Sequence, residues 1–90
     1  MKAPILDIYE PHLLEVIEFL DQIENDLSVP RNVRIKIKEA GEALKDNNHD
    51  LAIKINKALQ QIDEISDNQN IPSYTRTQIW HIVTKLESIK

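Results

Sequence analysis

The 90-residue sequence has no cysteine, which excludes disulfides and thiolate metal sites. It has one glycine, Gly41, and its aromatics are one tryptophan, one phenylalanine and two tyrosines. An all-β design needs many tight turns, so this scarcity counts against a sheet. No apolar run approaches the roughly 18 residues that span a bilayer. Met1–Tyr9 is too polar and too short for a signal peptide, so the expected setting is cytoplasmic. Positive charge is also short: 11 Lys and Arg face 15 Asp and Glu, for a net charge of −4. Wholesale nucleic-acid binding is disfavoured, although a local basic stripe is still compatible with that balance. There is no glycine-rich phosphate loop and no nucleophile placed beside a base. His12, His49 and His81 fall in separate elements, and no pair has the spacing of a helical metal site. No enzyme activity, cofactor or metal is expected.

What the chain does have is apolar periodicity. Leu13, Val16, Ile17, Leu20, Ile23 and Leu27 recur at three and four residues, which places them on one helical stripe. Pro11 suits the first helical position, where its missing N–H costs nothing. Val29-Pro30 forces a break, because the residue before proline is pushed out of the α region. Val33, Ile37, Ala40, Gly41 and Leu44 make a second stripe, with Gly41 attributed to close approach of a neighbouring helix. Lys45–Asp50 is a polar turn in which Asn47 or Asn48 can take the left-handed conformation and Asp50 favours the next helix start. A third helix follows with Leu51, Ile55, Ala58, Leu59, Ile62 and Ile65 inward. After Ile71-Pro72, a fourth carries Thr75, Ile79, Ile82, Val83, Leu86 and Ile89 inward.

The two halves echo each other at an offset of 42. Asp21, Ile23, Pro30, Arg34, Ile37 and Leu44 meet Asp63, Ile65, Pro72, Arg76, Ile79 and Leu86, and the apolar phase agrees between them. Each half is too small for a core of its own. The expected fold is therefore all-α: a compact antiparallel four-helix bundle built from two repeated helical hairpins. Helices are expected at about 11–27, 30–45, 50–66 and 72–89 within one domain, 11–90, preceded by an N-terminal arm, 1–10. The period also fits a HEAT-type hairpin, but such open arrays need about three repeats to be stable.

Several residues fall outside this scaffold logic. Ile35 lies about 200° from both Val33 and Ile37, and Ile53 is displaced likewise from Leu51 and Ile55. Leu14 and Phe19 flank the first stripe, and Trp80 flanks the fourth. Read plainly, the first four are scattered surface side chains or positions covered by the N-terminal arm, and Trp80 is an inward-flanking ring with its indole N–H at the surface; if contiguous, Leu14, Phe19, Ile35, Ile53 and Trp80 form a partner surface. Arg34 and Arg76 either clamp the preceding loops or make anion sites at helix starts. The second helix is locally basic through Arg31, Arg34, Lys36, Lys38 and Lys45, opposite an acidic first helix, which reads as complementary neighbours. Glu24 leans toward a core stripe, where arginine pairing is expected. The apolar arm Ala3–Tyr9 packs on its own chain or reaches a second copy.

Two passages carry a family resemblance. They are Ser28-Val29-Pro30-Arg31-Asn32-Val33-Arg34 with Lys38–Leu44, and Leu59–Asp67 with Ile71-Pro72 and Thr75–Val83. Together they resemble the small archaeal helical proteins grouped as uncharacterised protein family 0147. That resemblance implies an up-and-down helical bundle in an archaeal cytosol and implies no activity. A non-enzymatic protein–protein interaction module is the expected function, with self-association through the arm as one route. A nucleic-acid- or ribosome-associated accessory protein is the alternative. No membrane partner is expected.

Overall fold

The structure, a computed structural model, describes residues 11–46 and 48–89. Four helices make up its regular structure: α1 (Pro11–Glu24), α2 (Arg31–Lys45), α3 (Leu51–Ile65) and α4 (Ser73–Ile89). No strand occurs among the described residues. Each helix packs on two others: α1 on α2 and α4, and α3 on α2 and α4. That closed ring rules out the open array, because the two hairpins cover each other's apolar sides. The N-terminal arm lies outside the described residues.

The core follows the predicted stripes. Val16, Leu20 and Ile23 of α1 meet Val33, Ile37, Ala40 and Leu44 of α2, with Ile55, Ala58 and Ile62 of α3 and Ile82 and Leu86 of α4. Positions 42 apart share burial: Leu13 and Ile55, Leu20 and Ile62, Val29 and Ile71, Val33 and Thr75, and Leu44 and Leu86 are all buried.

The first helix stops three residues earlier than its apolar spacing implies. Asn25 caps it by donating its side-chain amide to the Asp21 carbonyl at 2.9 Å. Asp26 then accepts from the Ser28 backbone N–H at 3.0 Å, which makes a local turn that competes with the helix. Leu27 swings out at the tip of this turn and is 83% exposed, so it is no part of the core. The α3–α4 connection repeats the device, with Asn68 Oδ1 accepting from Asn70 N–H at 2.8 Å.

Four further expectations change. The α2–α3 turn uses no left-handed residue among those described, and Asn47 lies outside them. Asp50 starts α3 by accepting from Ile53 N–H at 3.2 Å. Gly41 is not imposed by close approach, because a Cβ there would sit 4.0 Å from Leu20 Cδ1, an ordinary contact. The described cross-helix ion pairs do not join α1 to α2. Lys36 of α2 reaches Glu64 of α3 at 2.7 Å, and Lys85 of α4 reaches Glu15 of α1 at 2.8 Å. Charge complementarity therefore acts across the hairpins, between one and the other. Glu24 is half-buried and makes no ion pair among the described residues.

Candidate interaction surface

The ring of helices is not equally tight all round, and its loosest seam is between α3 and α4. An open groove of about 740 Å³ runs along that seam. Leu59 and Ile62 of α3, Ile79 and Val83 of α4, and Ile71 of the connection supply its apolar wall, with Trp80 at the lip. Asp63, Arg76 and Glu87 bring charge to its lining. Trp80 is 73% exposed, so the indole stands at the surface and does not tuck inward.

The five residues expected to form a partner surface do not form one patch. Phe19 is half-buried and meets the edge of His81 across the α1–α4 seam, with ring centroids 5.8 Å apart. Leu14 is exposed on the opposite flank of α1. Ile35 and Ile53 are both exposed but lie at opposite ends of the α2–α3 pair. The Lys36–Glu64 contact puts Ile35 level with the end of α3, about 16 Å along the axis from Ile53. Of the five, only Trp80 borders the groove.

The groove's other walls were read from the sequence as core. Leu59 and Val83 belong to the inward stripes, yet both are only half-buried. A signal for this does exist at the 42-residue offset. Along one side of α2 the stripe Arg34, Lys38, Gly41, Lys45 carries three cations around a buried glycine; on α4 the same positions are Arg76, Trp80, Val83 and Glu87. The second hairpin thus replaces a basic stripe with an apolar one flanked by opposite charges.

Both repeated arginines reach back to loop carbonyls. Arg34 Nε donates to Val29 O at 3.0 Å. Arg76 donates through Nη1 to Ser66 O at 3.2 Å and through Nη2 to Asn68 O. Each uses carbonyl dipoles to hold the connection before its own helix, and the one that Arg76 holds contributes Ser66 and Ile71 to the groove. At the same end of the bundle, Tyr74 donates to Asp26 Oδ2 at 2.9 Å, and Ser28 Oγ donates to Asp26 Oδ1 at 2.6 Å. The side-chain hydroxyl and backbone N–H of Ser28, followed by the Tyr74 hydroxyl, hold the Asp26 carboxyl below its ordinary pKa. The Lys85 ammonium does the same for Glu15, chiefly by hydrogen bonding. The hydrogen bond from Lys36 to Glu64 pushes the Lys36 pKa up.

Among the described residues, no three His, Asp or Glu side chains converge to hold a metal ion. His12 lies 3.8 Å from Glu15, a single surface contact. No described helix is long and apolar enough to cross a membrane. Among the described residues, two buried polar side-chain atoms lack hydrogen-bond partners, Gln61 Oε1 and Thr75 Oγ1. Neither residue lines the groove. Lys54 is another residue missed from the sequence: it is only 6% exposed, next in the chain to the core residue Ile55.

Comparison with known proteins agrees with the helical arrangement. The chain is 44% identical over 71 residues to the UPF0147 protein MJ1419 of Methanocaldococcus jannaschii, covering 79% of this chain and 76% of that one. It is 37% identical over 91 residues to a UPF0147 protein of Pyrococcus furiosus, covering 100% and 98%. The crystal structure of the unknown-function protein MMP1188 superposes with a TM-score of 0.83 at 41% identity, covering 87% of this chain and 89% of that one. A UPF0147 protein of Thermoplasma acidophilum gives 0.81 at 31% identity, covering 88% and 94%. The model of Uncharacterised protein family (UPF0147) matches residues 4–89, and the chain belongs to that family.

Proposed function

We propose that this protein is a non-enzymatic protein–protein interaction module whose contact surface is the α3–α4 groove. One observation carries the reading: the sole tryptophan stands 73% exposed at the lip of an apolar groove. Exposing an indole beside Leu59 and Val83 costs solvation free energy that a partner recovers by covering them. Tryptophan is also enriched among residues that dominate binding energy. The test is capture from a native lysate with the intact chain and with Trp80→Lys. Recovery of a specific protein by the first but not the second, unchanged by ribonuclease, supports the reading. Identical capture by both variants contradicts it.

A second reading rests on the basic stripe of α2. Arg34, Lys38 and Lys45 share one flank there, and a nucleic-acid- or ribosome-associated role would use that flank for phosphate contacts. RNA affinity that falls steeply with added salt, and that weakens on Lys38→Glu, is its expected signature. No RNA binding at low ionic strength removes it.

A further inference from the structure

We infer that the occupant of the α3–α4 groove is a second copy of this chain, docked antiparallel through α4; this rests on the groove being the contact surface.

The outer stripe of α4 runs Arg76, Trp80, Val83, Glu87, at steps of four, three and four. Eleven residues bring the helix back to within about 20°, so all four positions share one flank. The order of steps reads the same from either end, while the charge reverses. A twofold axis midway between Trp80 and Val83 therefore sets Trp80 against Val83 of the second copy. The same axis sets Arg76 against Glu87 of the second copy, and does so twice, once at each end. A parallel arrangement would instead oppose arginine to arginine and glutamate to glutamate, which costs free energy. The charges thus select both the partner's identity and its direction.

The groove supplies the space such a dimer needs. Each indole enters the other copy's groove beside Val83, where Leu59 of α3 forms the far wall. Arg76 and Glu87 are both exposed, and neither forms an ion pair among the described residues. The other hairpin cannot do this. Its equivalent stripe, Arg34, Lys38, Gly41, Lys45, repels a copy of itself in either direction.

The test is sedimentation equilibrium of the full chain at low salt over a wide concentration range. The expected species is a dimer that dissociates on dilution. Trp80→Lys and Glu87→Arg each weaken it by about tenfold or more. Arg76→Glu weakens it similarly, and an equimolar mixture of Arg76→Glu with Glu87→Arg restores the dimer. In that mixture every rim carboxylate faces a rim guanidinium. Because Arg76 also holds the 66–68 connection, circular dichroism checks that its variant is folded; Trp80→Lys and Glu87→Arg, at exposed positions, carry the test if it is not. A monomer at all concentrations, a dimer indifferent to Trp80→Lys and Glu87→Arg, or folded charge variants whose mixture stays monomeric overturns the inference. A monomer whose lysate capture still depends on Trp80 overturns self-docking alone and leaves the interaction role standing.

Discussion

Tyr74 hands its phenolic hydrogen bond to Asp26 across the two hairpins, 2.9 Å from oxygen to oxygen and 48 residues apart in sequence. Ser28 joins both, donating to Asp26 at 2.6 Å and lying 2.6 Å from the Tyr74 hydroxyl. A carboxylate with three donors is better solvated folded than it is crowded, and its pKa falls accordingly. The trio pins the α1–α2 connection to the first turn of α4.

A depressed carboxyl pKa means stability that is present above the unfolded value and lost as pH falls through the folded one. Asp26 and Glu15 both titrate this way, so unfolding midpoints should drop as pH falls from about 5 through the carboxylate range. Tyr74→Phe removes one donor from Asp26 and should shrink that drop, as read by urea unfolding at a series of pH values. An acid limb identical to that of the unaltered chain would show that the hydrogen bond does not act on Asp26.

Thr75 occupies the position that Val33 holds in the other hairpin, and both are fully buried. Its hydroxyl has no hydrogen-bond partner among the described residues, which costs the hydroxyl its solvation. Thr75→Val keeps the shape and removes the unsatisfied oxygen. The expected gain is about 1 kcal/mol in chemical denaturation.

Gly41 is buried in mid-helix with room for a methyl group. Gly41→Ala should therefore stabilise by about 0.5–1 kcal/mol, mainly by restricting the unfolded chain. A loss of stability would mean that α1 and α2 approach more closely than the 4.0 Å contact to Leu20 indicates.

Core and groove residues should respond differently to truncation. Leu20 is 1% exposed within the core, so Leu20→Ala should cost about 2–5 kcal/mol. Trp80 is 73% exposed, so in solution dilute enough to hold the monomer Trp80→Lys should stay within about 0.5 kcal/mol of the unaltered chain. Thermal and urea unfolding of the two variants measure this contrast directly.

The apolar spacing was enough to read the core, because a helix that must bury one side has few ways to write it. Leu13, Val16, Leu20, Ile23, Val33, Ile37, Leu44, Ile55, Ile62, Ile82 and Leu86 are buried as their phase requires. Leu27 misled because a hydrogen-bonding side chain, Asp26, ends the helix just before it. The groove escaped because periodicity reports which side of a helix is apolar and says nothing of how far its neighbour stands. Leu59 and Val83 are in phase with the core, and only the gap between α3 and α4 leaves them half-covered. The ion pairs escaped for a related reason. Lys36 and Glu64, and Lys85 and Glu15, meet only once the ring order of the four helices is known.

Trp80 is the sole tryptophan, so its fluorescence reports the groove lip with no other indole contributing. Iodide or acrylamide quenching across a protein concentration series tests the groove's role most directly. Efficient quenching in dilute solution, with protection and a blue-shifted emission as concentration rises, is the predicted result. An indole shielded even at the lowest concentration, or one equally accessible throughout, would contradict it.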